Sequence, residues 1–166
     1  MELVSRMQFN ESEERLALST VTASRRLQFC AGHRVYGHES KCANLHGHNY
    51  VVFLYARSEN ELNGDGLDSL GRVVDFGQLK SLFAPWIEDN WDHGFIVSRN
   101  DLEAQQALNV IPGQKLFVMD NNPTAENMAR YILLELAPHL LKGSGVRLTK
   151  VVLWETENCF AEVELV

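Results

Sequence analysis

The stretch HNYVVFLYARS, residues 48–58, decides the fold, because β-branched and aromatic residues fill it and no helical stripe runs through it. It predicts a β-strand. Upstream, LALSTVTASRRLQFCAGHRV carries β-formers and polar alternation, and it predicts another strand that begins near Leu16 and ends near Cys30. Downstream, the Gly, Asp and Asn cluster of residues 59–71 predicts a hairpin-like connection.

Two later segments change to a helical period. Residues 71–90 place apolar side chains on one helical face, with Asp75 as the N-cap and Gln78 at the N3 position, and they predict a helix despite Pro85. Residues 122–143, NPTAENMARYILLELAPHLLKG, predict the clearest helix of the chain, because Thr124 caps its start and a glycine ends it.

The rest of the chain gives weaker signals. The polar stretch Ser98–Gln114 has no clear period, although DLEAQQALN favours a short helix and the KLFVMD that follows favours a short strand. The final residues 147–166 predict two short strands around a turn at ENC. The order β, β, α, loop, α, β, β is typical of an α+β fold with an antiparallel sheet. The length fits one domain over residues 1–166, with residues 1–14 as a frayed N-terminal extension.

Composition excludes several classes of protein. The formal net charge of -7 and the isoelectric point near 5.3 argue against a nucleic-acid partner, which needs a basic surface. Neither a leader peptide nor a run long enough to span a membrane is apparent. Three cysteines are an odd number and do not suggest a disulfide framework. We therefore expect a soluble, cytoplasmic protein without a membrane partner.

A concentration of metal-binding residue types lies at KCANLHGHNY, residues 41–50. His46 and His48 share one face of a strand, and His33 at the end of the preceding strand can complete a site of three imidazoles. Such a site with an open fourth position is typical of catalytic zinc. Cys42 could instead be a fourth ligand and close a structural site. The spacing of these residues does not separate the two alternatives.

Six motifs follow one another along the chain: FCAGHRV, CANLHGHNY, GRVVDFGQLK, WDHGFI, NPTAENMARYI and VVLWET. In this order they resemble the motifs of one enzyme family, that of 6-pyruvoyltetrahydropterin synthase and 6-carboxytetrahydropterin synthase (QueD). The similarity spans about Ser24 to Glu157. The resemblance implies that His33, His46 and His48 bind zinc. It also implies that Cys42 is the catalytic base rather than a ligand.

Further roles follow from the same resemblance. Asp92 and His93 would form a proton relay with Cys42, and Glu155 would anchor the pterin ring of the substrate, a pterin triphosphate. The implied substrate is 7,8-dihydroneopterin triphosphate. The spacing C-x-x-x-H-G-H looks like that of the bacterial enzymes that make 6-carboxytetrahydropterin, a queuosine precursor. The alternatives are a 6-pyruvoyltetrahydropterin synthase and a non-catalytic zinc or pterin-binding module.

The resemblance also implies the architecture. In the tunnelling fold, each subunit supplies a four-stranded antiparallel sheet with two helices on one face. Trimers close these sheets into a barrel, and two trimers stack into a hexamer with active sites at subunit interfaces, so Cys42 and the Asp92–His93 pair could come from different chains. One departure is the segment Val97–Asn122, which is longer than in the compact bacterial enzymes. It could reshape the pocket or only the oligomer surface.

Overall fold

The computed structural model describes residues 20–59 and 66–166. Two predictions therefore lie outside the described residues: the frayed extension at residues 1–14 and the start of a strand near Leu16. The predicted connection at residues 59–71 lies partly outside them. The strands are β1 (Ala23–His33), β2 (His46–Ser58), β3 (Gly94–Ser98), β4 (Leu116–Met119), β5 (Val146–Thr156) and β6 (Cys159–Glu164). The helices are α1 (Phe76–Asn90), α2 (Leu102–Asn109), α3 (Ala125–Tyr131), a π-helical turn (Ile132–Leu136) and α4 (Ala137–Leu140).

The six strands of the described residues form one sheet, in the order β4-β3-β1-β2-β5-β6. The pairs β1–β2, β2–β5 and β5–β6 are antiparallel, as predicted. The prediction of a purely antiparallel, four-stranded sheet is wrong, however, because β3 pairs parallel with β1 and β4 pairs parallel with β3. In the chain, β3 follows α1 and β4 follows α2. Each helix therefore lies in the crossover connection that a parallel pair of strands needs.

The register of β1 against β2 positions the candidate metal site. The pairing runs without interruption from Ala23 opposite Ala56 to His33 opposite His46. The strand predicted to end near Cys30 therefore continues for three more residues, because β2 provides partners as far as His46. Within the described residues the strand begins at Ala23. This register brings the ends of both strands, with their histidines, side by side.

The main core lies between one face of the sheet and the helices α1, α3 and α4. Alternate residues of β2 point into it, and Tyr50, Val52, Leu54 and Ala56 are all fully buried. From the helices, Leu79 and Phe83 of α1 and Met128 of α3 are equally buried. Both helix starts follow the predicted pattern: Asp75 accepts a hydrogen bond from the Gly77 N–H, and Thr124 accepts one from the Asn127 N–H.

Helix α2 lies on the opposite face of the sheet from the other three helices, contrary to the expectation of helices on one face only. Residues Ala104 and Leu108 of α2 are buried with Val97 of β3, and the partly buried side chains Phe95 and Leu116 pack against them. These side chains form a small second core, and α2 occupies the segment that the sequence left poorly defined. In residues 20–59 and 66–166, no helix is both long enough and apolar enough to cross a lipid bilayer.

Candidate active site

Three histidines meet at one end of the paired strands β1 and β2. His33 is the last residue of β1 and lies opposite His46, the first residue of β2. His48 follows two residues later and points to the same face as His46, since side chains alternate along a strand. One ring nitrogen of each histidine lies within 4.8 Å of the other two, so the group could hold a metal ion.

Hydrogen bonds to backbone carbonyls fix which nitrogens of this group are free. His33 Nδ1 lies 2.8 Å from the carbonyl oxygen of Pro123, and His46 Nδ1 lies 2.8 Å from that of Asn44. A carbonyl oxygen only accepts hydrogen bonds, so each Nδ1 carries the hydrogen and each Nε2 of a neutral ring presents a lone pair. Ligating histidines in metalloproteins commonly have this second hydrogen bond.

The Nε2 atoms of His33 and His46 are so close that a cation is needed to stabilise them. His33 Nε2 and His46 Nε2 are 3.1 Å apart. Two lone pairs at that distance repel unless a positive charge, a proton or a metal ion, lies next to both. Tetrahedral zinc with nitrogen ligands at about 2.0–2.1 Å separates those nitrogens by about 3.3 Å, close to the observed distance.

His48 adds independent support for a metal. Its Nε2 atom is buried and has no hydrogen-bond partner in the described part of the chain. Burial lowers the pKa of His48 below its ordinary value, and burial likewise lowers the pKa of His33, which is 1% exposed. Both rings are therefore neutral near pH 7, and a neutral imidazole is the form that binds metal ions. The three residues present fit a metal ion with nitrogen ligands.

Glu155 of β5 lies at the border of this group. Its Oε1 atom is 3.5 Å from His33 Nε2 and 3.9 Å from His48 Nε2. These distances exceed that of a good hydrogen bond, and the side chain is 27% exposed, so its carboxylate oxygens can still accept hydrogen bonds from a ligand. The carboxylate also favours a cation among the histidines.

Asp92 and His93 form an ordered pair between α1 and β3. The Nδ1–H of His93 donates to Asp92 Oδ2 at 2.7 Å, and the Cys30 N–H donates to Oδ1 at 2.7 Å. Burial by itself raises the pKa of Asp92, but the hydrogen bonds from Cys30 and His93 and the nearby Lys115 charge outweigh it, so the pKa lies below its ordinary value. Asp92 is therefore ionised at neutral pH and holds Nδ1 of the exposed His93 ring.

The backbone of this pair is held in an uncommon conformation. His93 has a φ of 55°, in the left-handed region that few residues other than glycine adopt. Its N–H donates to the carbonyl oxygen of Cys30 at 2.7 Å. The preceding Trp91 is fully buried among Phe29 and other aromatic rings. The strained turn is thus fixed on both sides, which sets the direction of the His93 ring.

Cys42 lies in a short 3₁₀ turn (Lys41–Ala43) between β1 and β2 and is partly buried. Among the residues that the structure describes, no fourth His, Cys, Asp or Glu joins the three-histidine group, and Cys42 is not part of it. This arrangement gives no support to a closed site with a cysteine ligand. No hydrogen bond between Cys42 and Asp92 or His93 is found within residues 20–59 and 66–166, and the role of Cys42 stays a prediction.

Comparison with known proteins decides the family. A model of the 6-pyruvoyl tetrahydropterin synthase family matches residues 22–165. The chain belongs to this family. Among curated proteins, the 6-carboxy-5,6,7,8-tetrahydropterin synthase of Rickettsia felis is 41% identical over 143 residues, which are 86% of this chain and 99% of that relative. The resemblance found in the sequence motifs is confirmed.

Solved structures agree on the fold of this family. The 6-pyruvoyl tetrahydropterin synthase of Caenorhabditis elegans is 25% identical, with a TM-score of 0.60 over 88% of this chain and 96% of its own. An uncharacterised protein of Wolinella succinogenes has a TM-score of 0.69 at 23% identity, over 87% of this chain and 97% of its own, and this likeness shows the fold alone.

Sequence reasoning missed one side chain next to the histidines of this family member. Tyr50 is fully buried, and its ring centroid is 5.7 Å from that of His48 and 6.0 Å from that of His33. Burial, reinforced by the charge of Glu155, raises the pKa of Tyr50, so the hydroxyl remains a hydrogen-bond donor. The signal was present in HGHNY, because Tyr50 follows His48 by two positions and so shares its face. The carbonyls of Pro123 and Asn44 gave no such signal.

Proposed function

We propose that this protein is a zinc-dependent lyase, a 6-carboxy-5,6,7,8-tetrahydropterin synthase of the queuosine precursor pathway. It converts 7,8-dihydroneopterin triphosphate and water to 6-carboxy-5,6,7,8-tetrahydropterin, acetaldehyde and triphosphate. The observation that carries the proposal is the group of His33, His46 and His48, with two Nε2 lone pairs facing each other at 3.1 Å. The name and 41% identity of the Rickettsia felis relative support the choice of product.

The three histidines hold the zinc ion in this proposal. Zinc bound there would supply Lewis acidity toward the neighbouring hydroxyl groups of the substrate side chain. The carbonyl oxygens of Pro123 and Asn44 keep the His33 and His46 rings in the tautomer that ligation needs. The Glu155 carboxylate, on the rim of the group, accepts hydrogen bonds from the amino group and ring N–H of the pterin.

Proton transfer is assigned to Cys42 and to the Asp92–His93 pair. Cys42 removes a proton from a carbon of the substrate side chain, the task of a positioned general base. His93, held by Asp92 through the 2.7 Å hydrogen bond, exchanges protons as triphosphate leaves and the carbon–carbon bond breaks. No nicotinamide is required, because the pterin ring gains the electrons that the side chain loses.

The proposed assembly is a cytoplasmic hexamer, a dimer of trimers. Its support is membership of the 6-pyruvoyl tetrahydropterin synthase family, whose resemblance implies active sites at subunit interfaces. In such an assembly, Cys42 and the Asp92–His93 pair of one site come from different chains. A monomeric variant should then keep zinc and lose turnover, which sedimentation combined with an activity assay tests.

A second candidate function is the elimination of triphosphate from the same substrate to give 6-pyruvoyltetrahydropterin. The name of the matching family and that of the Caenorhabditis elegans structure favour it. The deciding experiment incubates purified protein with 7,8-dihydroneopterin triphosphate and identifies the products by mass. Release of acetaldehyde with a 6-carboxy product supports the first function, and a 6-pyruvoyl product supports the second. A protein that keeps zinc and turns over neither would be a binding module.

A further inference from the structure

A single side chain fastens the loop that carries Cys42 to the long segment Val97–Asn122. The Tyr36 N–H donates to Asn122 Oδ1 at 2.9 Å, and Asn122 Nδ2 donates to the Tyr36 carbonyl oxygen at 2.9 Å. Both backbone polar groups of Tyr36 are thus paired with one amide side chain. Such a two-bond contact restrains orientation as well as position.

The loop has a second attachment to the same segment. Asp101 is fully buried, and its Oδ2 atom lies 2.8 Å from Arg34 Nε. Its other oxygen, Oδ1, accepts a hydrogen bond from the Ala104 N–H at the start of α2. The carboxylate is therefore held by the helix that it caps, and it in turn holds the residue next to His33.

Between these two attachments, the loop holds Cys42 directly. The Val35 N–H donates to the Cys42 carbonyl oxygen at 2.9 Å. Val35 lies between Arg34 and Tyr36, so each of these three consecutive residues contacts a residue elsewhere in the chain. The path of contacts runs from Asn122 to Tyr36, along one peptide unit to Val35, and across to Cys42.

Asn122 itself is well anchored. Its carbonyl oxygen accepts hydrogen bonds from the Thr124 N–H and from Asn127 Nδ2, both at 2.9 Å. The next residue, Pro123, provides the carbonyl that orients His33. The start of α3 thus supports the loop through Asn122 and the metal site through Pro123.

We infer that Asn122 is a positioning residue for Cys42, and that the segment Val97–Asn122 reaches into the active site through it. This inference rests on the proposed function, in which Cys42 is the base. A misplacement of a catalytic group by about 1 Å costs up to about a hundredfold in rate. Loss of the two Asn122–Tyr36 hydrogen bonds should therefore lower turnover through the position of Cys42.

The test compares Asn122→Ala with Asn121→Ala. Asn121 is the neighbouring residue of the same type, is exposed, and makes no hydrogen bond within the described residues. We expect kcat of Asn122→Ala to fall by about tenfold or more while KM changes by less than about threefold. Bound zinc should stay at the level of the unchanged protein, and Asn121→Ala should match that protein throughout. Asn122→Asp keeps only the acceptor for the Tyr36 N–H, so its kcat should lie between that of the unchanged protein and that of Asn122→Ala. This variant also tests the inference if Asn122→Ala does not fold.

A second readout needs no substrate. Iodoacetamide labelling followed by peptide mass spectrometry gives the alkylation rate of each cysteine separately. The rate at partly buried Cys42 should rise about fivefold or more in Asn122→Ala, because the loop opens more often, while the exposed Cys30 and Cys159 serve as internal controls and stay unchanged.

With the two readouts, the inference and the proposed function can be tested separately. Unchanged kcat together with unchanged Cys42 labelling overturns the inference, as does a parallel rise at all three cysteines, which indicates general loosening. If the unchanged protein turns over no pterin substrate, the proposed function fails, and the labelling pattern alone then decides whether Asn122 positions Cys42.

Discussion

Replacement of Cys42 by alanine separates a base from a metal ligand. The thiol is not part of the three-histidine group, so Cys42→Ala should retain zinc at the level of the unchanged protein. The side chain is small and only partly buried, so the free energy of unfolding should fall by no more than about 1 kcal/mol, which shifts Tm by about 2–4 °C for a chain of this size.

The effect on turnover should be far larger than the effect on stability. A positioned general base contributes about 10²- to 10⁴-fold to a rate, which is about 3–5 kcal/mol of activation free energy. We therefore expect kcat to fall by at least about a hundredfold while zinc and Tm stay nearly unchanged. The matched control is Cys159→Ala, at an exposed cysteine of β6, which should retain full activity.

The measurements are metal analysis by mass spectrometry, thermal unfolding and product formation from 7,8-dihydroneopterin triphosphate. Loss of zinc from Cys42→Ala together with a large drop in Tm would refute the reasoning, because it would make the sulfur a ligand. Full turnover by Cys42→Ala would refute it in the other direction, since no base would have been removed.

Three further predictions follow from the structure. His48→Ala should lose the bound metal, so EDTA should lower the Tm of the unchanged protein but not that of His48→Ala. An equal fall in Tm for both proteins would contradict the assignment of His48 as a ligand. Glu155→Gln should raise KM by about tenfold, because one charge-assisted acceptor for the pterin is lost, with zinc retained; an unchanged KM in steady-state kinetics would exclude that contact. Phe83→Ala should lower the free energy of unfolding by about 3–5 kcal/mol in urea titrations, since Phe83 is fully buried in the main core, and a cost below about 1 kcal/mol would place it outside a packed core.

The strands and helices with strong local signals were predictable. β2, α1 and α3 were found because their periodicity and caps are encoded in adjacent residues. β3 was missed because Gly94–Ser98 is only five residues long and becomes a strand by pairing with Ala31–His33, some sixty positions earlier. The end of β1 was placed too early for the same reason, since its last residues depend on partners in β2.

In the candidate site, too, local sequence predicted some residues, whereas others depend on contacts between distant parts of the chain. His46 and His48 were recognisable together because alternation along a strand is a local rule, and the pairing of two consecutive strands brought in His33. The carbonyl of Pro123 and the amide of Asn122 were not recognisable, because any residue carries a carbonyl and many asparagines cap turns. Their importance comes from contacts across some ninety residues of chain.

The small core beneath α2 has a consequence for evolutionary change. In the described part of the chain it shares no buried residue with the main core, and substitutions at sites without shared partners affect stability almost additively. Lineages can therefore alter Ala104, Leu108 or the length of the neighbouring turn with little epistasis toward the rest of the molecule. Asp101 is the exception, because it joins this module to Arg34, and genetic drift there should be restricted.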